Sequence, residues 1–198
     1  MRICDLRGVA IRACKNGIPM PFSFLKQCFP VSQPSKSLCF KIIYFCIKKA
    51  VDVVVVALSS PLHVGLYENN ILIEHHSLSE QTSEALPLIF EKMSKTYNFN
   101  QLFFAKGPGS FMSIKVSYIF LKTLSITLGI PLYATDGFTF NAGAPIKAMR
   151  QLYFVKEGNT IVTKIFETPQ NSFFELPKVL DKTCFDENNE PLYMLPAV

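Results

Sequence analysis

Lys106-Gly107-Pro108-Gly109-Ser110-Phe111-Met112-Ser113-Ile114-Lys115-Val116 joins a short apolar run to a long one, and its reading decides the fold. Two glycines around a proline mark a tight turn that needs a positive φ at one or both of them. Ser110 then stands where the N-cap of a helix belongs. From Phe111 the chain is apolar or small nearly all round to Leu128, where Gly129 and Pro131 stop it. Only Lys115 and Lys122 interrupt it, two turns apart. A helix of that kind is either buried or shared with a partner.

Outward from this helix the pattern is that of an α/β domain. Leu102 to Ala105 before the turn and Leu132 to Ala134 after the helix read as short strands. Phe138 to about Ala144 begins a third helix. Towards the N-terminus, Val53 to Leu58 is a continuous β-branched and apolar run, as expected of a strand covered on both faces. A turn at Ser59-Ser60-Pro61 leads to a strand from His63 to Tyr67. Glu68-Asn69-Asn70 then turns the chain into Ile71 to His75, making a hairpin. Ser77-x-x-Glu80 has the form of a capping box and predicts a helix from there to about Tyr97. That helix carries Leu86, Ile89, Phe90, Met93 and Tyr97 on one stripe and is kinked at Pro87. The order β-β-β-α-β-α-β-α argues for a mixed sheet flanked by helices. Beyond Ala148, Gln151 to Val155 and Thr160 to Phe166 predict a hairpin across Glu157-Gly158-Asn159. After Pro169 the periodicity fades, and Asp186 to Glu190 reads as a solvated loop.

Residues 1–50 differ in composition from the rest of the chain. They carry nine Lys/Arg against one acid, whereas residues 51–198 carry eleven against fourteen. The formal charge of +5 therefore belongs to the front, and no basic stripe of the kind an RNA-binding face needs runs through the remainder. Cys4, Cys14, Cys28, Cys39 and Cys46 cluster there too, with Cys184 alone beyond. Their spacing is neither a zinc pattern nor a disulfide scaffold, and they read as thiols of a cytoplasmic chain. Leu38 to Ile47 is too short for a membrane span and is broken by Lys41. Residues 1–50 are expected to be an unstructured or spurious leader, with Val51 a plausible true start. Residues 51–148 then form the main lobe, and 149–198 a reduced C-terminal lobe or tail.

Two segments together resemble the TsaB (YeaZ-type) family. Gly107-Pro108-Gly109-Ser110-Phe111 and the residues after it are similar to that family's G-P-G-S-F-T-G-(V/L)-R-(I/V) turn. Glu80-Gln81-Thr82-Ser83-Glu84-Ala85-Leu86-Pro87-Leu88-Ile89 resembles its E-H-(T/S)-x-x-L-(L)-P-x-I helix, proline included. The resemblance runs from about Val51 to Ala148. It implies the actin/Hsp70/sugar-kinase (ASKHA) type of fold. It also implies a non-catalytic accessory subunit in forming threonylcarbamoyladenosine at position 37 of tRNAs that read ANN codons. The partners implied are a TsaD-type catalytic subunit and a TsaE-type ATPase, with a homodimer when alone, tRNA met only indirectly, no membrane and no cofactor. Three departures stand out. Ala57-Leu58-Ser59-Ser60 replaces the family's I-D-T-S and has no acid, Gln81 replaces a histidine, and Met112-Ser113 replaces Thr-Gly.

Each chemical reading has a plainer alternative. The Gly107 turn at a helix N-terminus could cradle a phosphate, but it fits neither the P-loop nor G-x-G-x-x-G, and a simple turn explains it. His75 and His76 point to opposite faces of a strand and cannot chelate one metal together. Asp136, after a strand, is a conceivable catalytic carboxylate or a helix cap. The docking surface for a protein partner is expected on the two main helices, at Leu86, Ile89, Met93, Ile114, Tyr118, Ile119 and Lys122, and a charge at Ile119 or Ile89 should weaken it without unfolding the chain. The competing functional reading is an active kinase-like ATPase or metallopeptidase of the same fold.

Overall fold

A run as rich in valine as Val51 to Val56 is stable as a strand only where both its faces are covered. It occupies the centre of a five-stranded sheet. The computed structural model describes residues 48–194, and in it β1 spans Lys49–Val56, buried from Val51 onward. β2 (Leu62–Glu68) and β3 (Ile71–Leu78) come next as antiparallel neighbours. Asn69 and Asn70 join them at φ of 51° and 66°, the left-handed values a two-residue hairpin needs and asparagine tolerates. Helix α1 (Thr82–Thr96) leads to β4 (Tyr97–Ala105), and helix α2 (Phe111–Leu128) to β5 (Leu132–Thr135), which pairs parallel to β4. The strand order is β3-β2-β1-β4-β5, so the sheet is mixed. A second, antiparallel sheet contains β6 (Ile146–Met149), β7 (Leu152–Glu157) and β8 (Thr160–Ile165) in that order.

Alternation along β4 distributes the core. Phe104 faces α2, its ring 6.0 Å from that of Tyr118. Phe103 turns to the opposite face, stacks on Tyr133 and meets Phe185 edge-on. On that face Val54, Val56, Tyr67 and Phe103 pack with Phe138, Phe140, Ile146, Phe154, Phe174 and Leu180. The sheet is thus covered by helices on one side and mainly by the second sheet and the C-terminal segment on the other.

Several predicted boundaries move. β3 continues through Ser77 to Leu78, and α1 begins only at Thr82, because Ser77 pairs with His63 and Leu78 with Leu62. The capping box is therefore not used. α1 passes through Pro87 without interruption. The third helix is a single 3-10 turn, Gly137–Phe140, since Ala142 and Gly143 take left-handed φ values of 53° and 75° that no helix continues through. β6 was not foreseen. Nor is 186–190 merely a solvated loop: Asp186 pairs with Ala134 along the free edge of β5, while Val179 bridges to Ile71 at the start of β3. One segment thereby covers part of both sheet edges, the positions most open to unwanted strand pairing.

The chain divides into two compact units, Met1–Ala50 with Thr96–Asn98, and Val51–Lys95 with Phe99–Val198. Of the first, residues 48–50 and 96–98 are described; Asn98 Nδ2 donates to the Lys48 carbonyl at 3.4 Å. The leader expectation for residues 1–50 otherwise lies outside the described residues. Within the second unit, Asp52 is 6% exposed. It accepts from Asn100 Nδ2 at 3.0 Å and pairs with Lys182 Nζ at 2.6 Å. Lys182 also donates to Gln101 Oε1 and lies over the Phe103 ring. Removing one partner of a buried pair costs more than the pair contributes; because the lysine is partly exposed, solvent reduces that cost. Lys182→Met is expected to lower stability by about 1–2 kcal/mol, and adding Asp52→Asn to recover part of it, as a urea-melting double-mutant cycle would measure.

Candidate functional site

The Gly107 turn is held from three sides. Ser110 N donates to the Leu58 carbonyl at 2.8 Å, Gly137 N to the Gly107 carbonyl at 2.7 Å, and Leu192 N to the Lys106 carbonyl at 2.7 Å. Gly107 has φ +128°, and a Cβ there would lie 2.6 Å from the Leu192 carbonyl oxygen. Gly109 has an ordinary φ; what requires glycine is contact, since a Cβ would fall 2.7 Å from the Leu58 carbonyl oxygen. Pro108 is buried and Phe111 packs against Tyr193, ring centroids 4.7 Å apart. Ser110 sits at the N-cap of α2 but its side chain makes no cap; Ser113 Oγ donates to Ser110 Oγ instead. The turn therefore joins β4, α2, the Leu58 segment and the C-terminal segment.

The predicted docking residues divide. Leu86, Ile89 and Met93 of α1 and Ile114 of α2 are buried within the chain, Leu86 also lining the groove between the two helices. The apolar stripe that marked them is the stripe an amphipathic helix turns inward. Tyr118 and Lys122 are half-buried, Lys122 donating to Asn189 Oδ1 at 3.2 Å. Ile119 is 54% exposed, and the two helices also expose residues the sequence reasoning missed: Leu88 of α1 at 67%, Ile126 of α2 at 73%, and Met112 and Leu128 of α2. The signal for those on α2 is the lack of a polar face already visible in the sequence. Only Ile114, Ser117 and Leu121 of its eighteen residues are buried. A groove of about 420 Å³ runs between the helices, lined by Thr82, Leu86 and Pro87 of α1 and by Val116, Ile119, Phe120, Thr123, Leu124 and Thr127 of α2. Its walls are almost wholly apolar, a surface that excludes water and recognises another apolar surface.

By length and composition α2 could also cross a membrane, with mean hydropathy 1.3 and 17% of it buried. Ile114 and Leu121 on it are fully buried within the chain.

The remaining candidates have structural partners. Asp136 accepts from Phe138 N at 3.0 Å as the cap of the 3-10 turn, and it pairs with Lys156. Cys184 is exposed near Asp181, whose carboxyl is held below its usual range by the Thr183 hydroxyl and then by its backbone N–H. Leu58 is buried, with its carbonyl on Ser110.

Against this geometry stand the relatives. No family model matches the chain. Over 97 residues it is 33% identical to the tRNA threonylcarbamoyladenosine biosynthesis protein TsaB of Buchnera aphidicola subsp. Acyrthosiphon pisum (strain APS), covering 44% of this chain and 42% of that protein. The chain thus spans less than half the length of that TsaB relative. Two Pseudomonas aeruginosa structures are also similar. One, YeaZ, is 13% identical with a TM-score of 0.48, over 57% of this chain and 66% of that one. The other, an uncharacterized protein with similarity to peptidase YeaZ, is 12% identical with a TM-score of 0.46, over 58% and 63%.

Proposed function

We propose that the chain is an accessory, non-catalytic subunit in the formation of threonylcarbamoyladenosine at position 37 of tRNAs that read ANN codons. It has a reduced ASKHA-type fold and holds a TsaD-type catalytic subunit on its α1–α2 face, with a TsaE-type ATPase completing the cytoplasmic assembly. The observation that carries this reading is the apolar groove between two helices whose outer residues, Ile119, Leu88 and Ile126, are exposed in the isolated chain. Apolar side chains at helical spacing around a groove are the usual core of a helix-mediated protein contact. The 33% identity to a TsaB protein gives that contact its biochemical setting. The kinase-like alternative needs an acid near the end of the first strand, where this chain has the buried Leu58.

The test is reconstitution. The full chain should co-purify with the TsaD-type protein of the same organism. Threonylcarbamoyladenosine formation on tRNA should depend on adding it, while the isolated chain gives no turnover. Failure to associate would overturn the proposal. So would turnover by the isolated chain that disappears with Asp136→Ala, which would favour the enzymatic reading instead.

A further inference from the structure

β2 and β3 pair so that Gly65 lies opposite His75, and His63 opposite Ser77. Alternate residues of a strand share a face, which brings His63 and His75 diagonally together on one side of the hairpin. Their rings meet: His63 Nδ1 is 3.1 Å from His75 Nε2, with ring centroids 5.3 Å apart. His76 turns the other way and holds Glu74 at 2.8 Å. His75 is exposed and His63 half-buried, so the pair is open to solvent.

We propose that His63 and His75 form a two-imidazole site for one divalent transition-metal ion of the nickel, copper and zinc kind. Metal–imidazole bonds are about 2.0–2.1 Å long. Two nitrogens 3.1 Å apart close on a shared ion at roughly 95–100° with such bonds. That angle lies between the right angle of square-planar or octahedral sites and the tetrahedral angle. In the free protein one ring donates a proton to the other. Binding replaces that proton, and a rotation of each ring about χ2, a broad torsion, turns both lone pairs onto the ion. Imidazole selects the late first-row ions, whereas calcium and magnesium take oxygen donors. Among the described residues no group of three His, Cys, Asp or Glu side chains is placed to hold a metal. The remaining coordination positions are thus left to water or to a donor on a bound molecule. An ion held there clips the edge strand β3 to β2.

The experiment is a calorimetric titration of the full chain with Ni²⁺ near neutral pH, after alkylating its thiols so that cysteine does not compete. Histidine ring NMR signals are followed in parallel. The expected result is one Ni²⁺ per chain, with the His63 and His75 signals broadened and that of His76 unchanged. His63→Asn and His75→Asn should each weaken binding by at least about tenfold, and His76→Asn should leave it intact. Wild-type affinity in folded His63→Asn and His75→Asn proteins would overturn the proposal, as would broadening centred on His76.

Discussion

Ile119→Asp is expected to weaken association with the proposed TsaD-type partner by about two orders of magnitude while leaving the chain folded. Ile119 is 54% exposed and borders the groove between α1 and α2. A carboxylate there costs little in the free protein because water still solvates it. In a complex it loses that water among apolar groups, and hot-spot losses of about 2–4 kcal/mol are typical of such centres. Leu88→Asp and Ile126→Asp, at exposed positions of the same two helices, should act in the same direction. Ile89→Asp is a different experiment. At 7% exposure its charge would be buried inside the chain itself, and the expected outcome is unfolding rather than selective loss of binding. The measurement is a binding isotherm for each variant beside its melting curve. Wild-type affinity for all three folded surface variants would move the docking face elsewhere.

Gly109→Ala should be strongly destabilising, although the backbone conformation at 109 is one that alanine adopts freely. Its Cβ would come within 2.7 Å of the Leu58 carbonyl oxygen, 2.8 Å of Leu58 Cβ and 3.0 Å of Leu58 Cα. Two of those three atoms are backbone, so the strain cannot relax by a change of rotamer. The same movement would break the hydrogen bond from Ser110 N to Leu58. Overpacking of this kind costs about 1–3 kcal/mol, and the threatened hydrogen bond adds about 1 kcal/mol. The total is a large fraction of a typical domain's 5–15 kcal/mol. Gly129→Ala is the control. Gly129 caps α2 at φ +64° with nothing within 4 Å, so its cost is the conformational penalty alone, about 1 kcal/mol. Urea melts of the two variants separate contact from conformation; equal losses would show that contact with Leu58 is not what requires glycine at 109.

The features legible in the sequence are those set within a few residues. α2 runs from Phe111 to Leu128 as its flanking Ser110 and Gly129 indicate, because a left-handed glycine ends a helix by local geometry. The Asn69-Asn70 and Gly158 hairpins arise from residues that accept positive φ. β1 declares itself by β-branched composition, since a run so apolar has no stable place except between two covered faces.

Tertiary structure decided everything that depends on a distant partner. Ser77 belongs to β3 and not to a helix cap because His63 is available across the hairpin to pair with it. The stripe Leu86, Ile89 and Met93 is apolar whether it meets a partner or the chain's own sheet. Only the fold shows that it faces inward and that Ile119 and Leu88 face out. Gly109 looks like a residue chosen for its backbone freedom, yet Leu58, fifty-one positions earlier, makes it necessary. The meeting of His63 with His75 depends on strand register, and the cover over both sheet edges comes from a C-terminal segment without periodicity. Hydrophobic patterning fixes which residues leave water; it does not say which surface receives them, because burial lowers free energy equally against either.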